Sequence, residues 1–138
     1  MRRLPSVLMS LLPLVTACVS TQVTRLHPEL TYPKICPEGV AMFTSADKVG
    51  MPYVEVAVLS SSGDQSMTTQ AGMYESQRKK AADVGANGVI LGQSQEAGTG
   101  AQVAHALIGT AANRRGQALA IYIASDSARV REACAARH

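Results

Sequence analysis

Apolar and polar positions along the chain form short runs that predict strands and one longer stretch that predicts a helix. Residues 53–59 are mostly apolar and β-branched with one charge, Glu55, at the centre, which is typical of a strand with Glu55 directed to water. Further apolar runs of strand length occupy residues 39–44, 89–91 and 118–124. In residues 69–84 the spacing is helical and places one side of the helix at Tyr74, Gln77, Ala81 and Val84.

Polar residues and glycines predict where these elements end. Residues 60–64 contain three serines and a glycine, and are expected to form a flexible loop after the second strand. Gly85 is expected to cap the helix in the left-handed conformation. Ser125 or Asp126 is expected to cap a last helix over residues 128–136.

The order strand, strand, helix, strand, strand, helix predicts an α+β fold with a small mixed sheet of about four strands packed by one or two helices. The first two strands are expected to form an antiparallel hairpin, and the second and third to lie parallel through a right-handed helical crossover. Residues 93–116 are rich in Gly and Ala and are predicted to be an insertion. Within it, residues 101–112 are either a short helix or mobile.

The N-terminus has the charge and hydropathy profile of an export signal. Arg2 and Arg3 precede an apolar stretch over residues 4–17, which ends at Cys18 before a polar run. A membrane-spanning helix needs about 20 apolar residues, so this stretch is too short to remain as a transmembrane anchor. Residues 1–17 are therefore predicted to be a signal peptide.

Residues 14–18, Leu-Val-Thr-Ala-Cys, resemble the lipobox of bacterial lipoproteins. The resemblance implies cleavage before Cys18 and acylation of Cys18, and two or more acyl chains anchor a protein stably; an ordinary secreted protein cleaved nearby is the alternative. Val19 stands where an Asp commonly retains lipoproteins at the inner membrane, so an outer-membrane anchor facing the periplasm is expected. Residues 18–35 would then be the lipidated cysteine and a flexible tether, followed by a single domain over residues 36–138.

Removal of the signal changes the charge of the protein. The whole chain of 138 residues carries 13 basic and 10 acidic side chains, and loss of Arg2 and Arg3 brings the two nearly into balance. Nucleic-acid-binding domains gather positive charge on one face, so this balance argues against a nucleic-acid partner. Aromatic residues make up 4% of the chain and Trp is absent, which leaves little ring area for stacking on bases or sugars.

The chain has three cysteines. If Cys18 is lipidated, Cys36 and Cys134 remain as an even pair in an oxidising compartment, which suggests a disulfide. Two buried thiols, or a bridge between two molecules, are the alternatives. A bridge within the chain would close a loop of about 100 residues, for which the chain-entropy estimate is roughly 4 to 5 kcal/mol.

Residues 77–91, QRKKAADVGANGVIL, lie between two predicted strands and resemble small bacterial domains of the RcsF stress-sensing lipoprotein type and of the YbjQ type, which carries a heavy-metal-binding label. In these a helix ends in Gly-Ala-Asn or Gly-Ala-Asp and leads straight into an apolar strand. The resemblance covers roughly residues 36–124 and implies a non-catalytic envelope domain on a lipid anchor that acts by contact with other proteins. The stress-sensing type has four cysteines in two bridges, whereas only Cys36 and Cys134 remain here, so its specific signalling role is not implied.

Candidate ligands and nucleophiles are few and widely spaced. The histidines and remaining cysteines are His27, His105, His138, Cys36 and Cys134. They show no CxxC or HxxxH spacing, so neither a metal nor a cofactor is expected.

A Ser-His-Asp site would need residues 60–62, Asp64 and a distant His, without a G-x-S-x-G elbow. Residues 98–100, Gly-Thr-Gly, lack the dinucleotide fingerprint. The basic runs at 78–80 and 114–115 are expected to be solvated, with lipid phosphates or anionic envelope polymers as alternative ligands.

The sequence thus predicts a lipid-anchored bacterial cell-envelope protein that is held to the membrane through Cys18 and acts as a non-catalytic interaction or envelope-sensing module. Its expected partner is another envelope protein. A metal-binding or small-ligand-binding lipoprotein of the YbjQ type is the alternative, and an enzyme is not expected.

Overall fold

The structure is a computed structural model that describes residues 19–64, 66–95 and 113–136. These residues form a five-stranded mixed sheet and two helices, which confirms the α+β class predicted from the sequence, with one strand more than expected. The strands are β1 (Ser20–Arg25), β2 (Ala41–Phe43), β3 (Val54–Asp64), β4 (Gly88–Gln95) and β5 (Asn113–Tyr122). The helices are α1 (Gln70–Asp83) and α2 (Ser127–Ala135).

The strands lie in the order β1-β3-β5-β4-β2. β3 is antiparallel to both β1 and β5, β4 is antiparallel to β5, and β2 is parallel to β4. The predicted hairpin of the first two predicted strands is therefore wrong, because β2 and β3 lie on opposite sides of the β5–β4 pair. β3 and β4 do run in the same direction, but β5 lies between them. In β5, Ala118, Ala120 and Ile121 are at most 5% exposed, and a strand buried on both faces takes the centre of a sheet.

The tether prediction is wrong for Ser20–Arg25, which form the edge strand β1. In this strand Thr21 pairs with Ser61 of β3, and Val23 pairs with Leu59. Thr21 is buried and Val23 partly so, whereas the residues on either side of Thr21 are more exposed. An alternation over so few residues, most of them polar, is a weak signal in a sequence without its partner strand.

The loop predicted at residues 60–64 is also wrong, because these residues continue β3 to Asp64. Ser62 pairs with Ser20 on one side and with Arg115 on the other. Since a strand with neighbours on both sides satisfies its backbone donors and acceptors in the sheet, the weak strand propensity of serine and glycine is outweighed here.

The main core lies between α1 and one face of the sheet. Ala81 and Ala82 of α1 are at most 1% exposed, and the small side chains allow the helix to approach the sheet closely. The cluster also includes Val40, Val56, Ala57, Leu59, Val84, Ala86, Val89, Ala118 and Ala120. A smaller cluster of Val49, Ile121 and Ile123 forms a second part of the core, with Phe43, Tyr53, Ile90 and Leu119 packed against it.

Both predicted helices are confirmed, and each begins and ends within one residue of its predicted limits. Thr69 caps α1 by accepting a hydrogen bond from the Gly72 N–H at 3.0 Å, and Gly85 follows the helix with a φ of +77°. The residue at the N-cap of α2 is Asp126. The residues that sequence periodicity placed on the buried side of α1 include Gln77 and Ala81, which are buried, but also Tyr74, which is only partly so.

The sheet has two ends, which we name after the limits of β3. At the Val54 end β1 finishes, β3 and β4 begin and α1 terminates; at the Asp64 end β1, β5 and α1 begin and β4 finishes. Eleven residues of β3 separate the two ends, a length of roughly 33 Å at the rise of an extended strand.

The predicted insertion at 93–116 begins within β4 and ends within β5, so its first and last residues are strand. Residues 96–112 lie outside the described residues.

Candidate functional site

A disulfide between Cys36 and Cys134 joins the chain after β1 to α2, as the sequence predicted. The Cα atoms of the two residues lie 5.7 Å apart and the residues are separated by 98 positions along the chain. Gly39 allows this close approach, because a Cβ there would lie 3.1 Å from Val130 Cγ1 and 3.2 Å from Cys134 Sγ. The bridge therefore fastens the C-terminal helix to the Val54 end of the sheet.

Arg129 forms a second attachment of α2 to the same end. Its Nε donates to Asp126 Oδ2 at 2.7 Å, and its terminal nitrogen donates to the Gly39 carbonyl at 3.0 Å and the Asn87 carbonyl at 3.3 Å. No residue of α2 is fully buried. The helix is thus held by the disulfide, by the guanidinium of Arg129 and by half-buried side chains such as Val130.

Four of the five large apolar side chains that are exposed in the described part of the chain belong to the Val54 end of the sheet. Leu26 is 39% exposed, Leu30 42%, Met51 37% and Val54 41%. Leu26 directly follows β1 and its N–H donates to the Val56 carbonyl at 3.0 Å, while Met51 lies three residues before β3. We call these four residues the Val54-end patch.

Two concave features lie at this end, beside the chain segment that leads to Cys36. The first has a volume of about 170 Å³ and is lined by Ile35, Tyr122, Val130 and Arg131 together with neighbouring residues. The second, about 380 Å³, is lined by Lys34, Pro37, Lys79 and Asp83 among others, and the Lys34 Nζ lies 2.5 Å from Asp83 Oδ1. Tyr32 and Tyr122 stack beside the segment with their ring centroids 4.3 Å apart. The Val54 end therefore combines exposed apolar side chains with a disulfide-fastened framework.

Of the remaining candidate residues, the structure describes His27, Glu55 and residues 60–62. Cys18, His105, His138 and residues 98–100 lie outside the described residues. His27 is at the surface, with its Nδ1 3.3 Å from Glu29 Oε1. Glu55 is exposed, as its pattern predicted. Within residues 19–64, 66–95 and 113–136 no three His, Cys, Asp or Glu side chains come together as a metal site, and no helix has the length and hydropathy needed to span a bilayer.

The serines of residues 60–62 belong to the sheet. The Ser61 Oγ lies 2.9 Å from the Thr21 Oγ1, which in turn lies 2.6 Å from the Ser76 Oγ, so one chain of hydroxyl groups connects β1, β3 and α1. Sequence reasoning missed Thr21, Ser76 and Arg129, because the partners that connect them to other elements lie at least 40 positions away along the chain. The signal for β1 in the sequence is the alternation by which Thr21 and Val23 lie on the same face of an extended chain.

No family model and no curated protein matches the chain. Among solved structures, it is similar to the crystal structure of a Francisella virulence factor, FvfA, in its orthorhombic form. The TM-score is 0.54 at 10% sequence identity, over 75% of this chain and 97% of that chain. At this identity the likeness shows a shared fold.

Proposed function

We propose that the chain is a lipid-anchored protein of the bacterial cell envelope that acts through contact with another envelope protein, as a non-catalytic interaction or sensing module. The observation that carries the proposal is the disulfide. The disulfide joins Cys36 and Cys134, so Cys18 is the remaining one of the three cysteines in the chain. Cys18 is also the last residue of the lipobox-like sequence. Disulfides persist in oxidising compartments such as the periplasm, so the bridge supports export and frees Cys18 for acylation.

The Val54-end patch is the proposed contact surface. Exposed apolar side chains grouped on one part of a protein favour an interaction surface. The patch adjoins the segment that the disulfide fastens to α2, so its neighbourhood would change little in shape on binding, which lowers the ordering cost of association.

The anchor is tested by Cys18→Ala and by globomycin treatment of cells that produce the full chain. Either should leave an unprocessed precursor, whereas the untreated wild-type protein should extract into detergent and carry acyl mass on its N-terminal residue. Unchanged processing with a water-soluble product would reject the anchor and leave an ordinary exported protein.

The contact surface is tested by photo-crosslinking in intact cells. A photoreactive residue replacing Leu26 or Val54 should capture the same envelope protein, and one replacing Glu75 on the exposed side of α1 should not. Equal capture from Glu75, or none from Leu26 and Val54 in the lipidated protein, would contradict the proposal.

Elemental analysis of the purified mature domain distinguishes the alternative function. Zinc, copper or nickel at one atom per chain after dialysis would replace the interaction proposal with metal binding.

A further inference from the structure

Only one residue separates Cys18 from the sheet. β1 begins at Ser20, and Val19 lies against α1, since a Cβ on Gly72 would be 4.0 Å from Val19 Cγ2. An extended residue spans about 3.5 Å, so the Cα of Cys18 is at most about 7 Å from that of Ser20. An acyl group on Cys18 would therefore leave no tether between the lipid and the fold.

The Asp64 end is the part of the fold that this short connection reaches. Ser20 pairs with Ser62 near the end of β3, and β5 begins beside Asp64 at Asn113. In the turn that follows Asp64, Met67 is 50% exposed, the largest exposed fraction among the large apolar side chains described.

The charges at this end suit an anionic surface. Arg114 and Arg115 lie at the start of β5, with Arg115 exposed. The N-terminus of α1 also lies at this end, and a helix N-terminus carries partial positive charge. Asp64 opposes the two arginines with one negative charge, and its carboxylate accepts hydrogen bonds from the Ser66 N–H at 2.9 Å and from the Ser66 hydroxyl.

We propose that the Asp64 end of the sheet faces the lipid surface, with Met67 in the interfacial region and Arg115 near anionic headgroups. The inference rests on the proposed anchor at Cys18 and specifies how that anchor orients the domain. With β3 along the membrane normal, this orientation places the Val54-end patch roughly 33 Å from the lipid, which is the length of the strand. The domain is then a rigid spacer that presents the patch at a fixed height.

Two methionines at opposite ends of β3 provide a matched pair for the test. Met67 and Met51 are 50% and 37% exposed and lie three residues after and three residues before the strand. The chain has no Trp, so M67W and M51W each introduce a single indole. The lipidated mature proteins are placed in vesicles of zwitterionic and anionic phospholipid whose acyl chains are brominated, which quenches indoles that reach the bilayer.

The M67W indole should lose most of its emission in brominated vesicles and shift to shorter wavelength, whereas the M51W indole should be unchanged. Equal quenching of the two indoles, or no quenching of M67W in vesicle-bound protein, would overturn the orientation and leave the anchor intact. A mature chain without acyl mass that fails to bind vesicles would overturn the anchor itself, and the orientation with it. Unfolding midpoints of M67W and M51W that match the wild type establish that both variants are folded.

Discussion

Asn87 and Ile123 exchange two hydrogen bonds inside the protein. The Asn87 Nδ2 donates to the Ile123 carbonyl at 2.8 Å, and the Ile123 N–H donates to Asn87 Oδ1 at 2.7 Å. Asn87 is 2% exposed and Ile123 is fully buried. The amide of Asn87 thus acts as an added backbone partner for the residue that follows β5, and it joins the start of β4 to the chain that leads into α2.

Asn87→Ala should destabilise the domain by about 2 to 4 kcal/mol, because it leaves a buried N–H and a buried carbonyl of Ile123 without partners. Urea unfolding followed by circular dichroism measures the difference. Asn113→Ala is the matched control, since Asn113 is exposed at the first residue of β5, and its effect should stay within about 0.5 kcal/mol. Equal effects of the two substitutions would contradict the role assigned to Asn87.

The parts of the fold that the sequence predicted are those with strong local signals. A periodicity or a cap identifies them without knowledge of the partner strand: the strand at residues 53–59, the helix that ends before Gly85 and the apolar run at 118–124. The parts that failed depend on distant pairing. Residues 60–64 have the composition of a loop, yet they are strand because β1 and β5 pair with them on both sides.

The same distinction applies to the candidate site. The count of cysteines and the expected compartment favour a bridge between Cys36 and Cys134 over two free thiols or a bridge between molecules, and the structure has that bridge. Arg129 could not be identified, because its acceptors on Gly39 and Asn87 are carbonyls, which every residue has. Nor does a sequence show that Leu26 and Val54 share one end of the sheet until the antiparallel register of β1 and β3 is known.

Replacing both bridge cysteines, as C36S/C134S, should lower the free energy of unfolding by roughly 4 to 5 kcal/mol. The bridge spans 98 positions, and closing a loop of that size restricts the unfolded chain strongly. Guanidinium unfolding of the oxidised wild type, the reduced wild type and C36S/C134S gives the comparison. The reduced wild type should match C36S/C134S, and Thr24→Ser on the exposed side of β1 should match the oxidised wild type. Equal stability of the oxidised wild type and C36S/C134S would contradict a stabilising role.

Gly85→Ala should cost more than Gly50→Ala, although both glycines have a positive φ, +77° and +65°. At Gly50 an added Cβ meets nothing within 4 Å, so only the backbone conformation is penalised, by about 1 to 2 kcal/mol. At Gly85 the added Cβ would lie 2.5 Å from Tyr32 Cβ and 2.7 Å from the Pro33 carbonyl oxygen, and relieving such overlap adds about 1 to 3 kcal/mol. Thermal unfolding of both variants under one buffer condition measures the difference, and a Gly50→Ala effect as large as that of Gly85→Ala would contradict the packing of residues 32–33 against the end of α1.

Thr21→Val tests whether residues 20–25 form a strand of the sheet or a flexible tether. The Thr21 hydroxyl lies between the hydroxyls of Ser61 and Ser76, and Thr21 is 8% exposed. Valine has nearly the same shape but cannot form these hydrogen bonds, so the buried Ser61 hydroxyl loses a partner at a cost of about 1 to 3 kcal/mol. Thr24→Val is the control within the same strand, because Thr24 is exposed and valine suits a strand at least as well. Urea unfolding should therefore show a lower midpoint for Thr21→Val and little change for Thr24→Val. Residues of a tether contribute nothing to the stability of the folded domain. Equal unfolding midpoints for both variants and the wild type would therefore contradict the strand and favour a tether at residues 20–25.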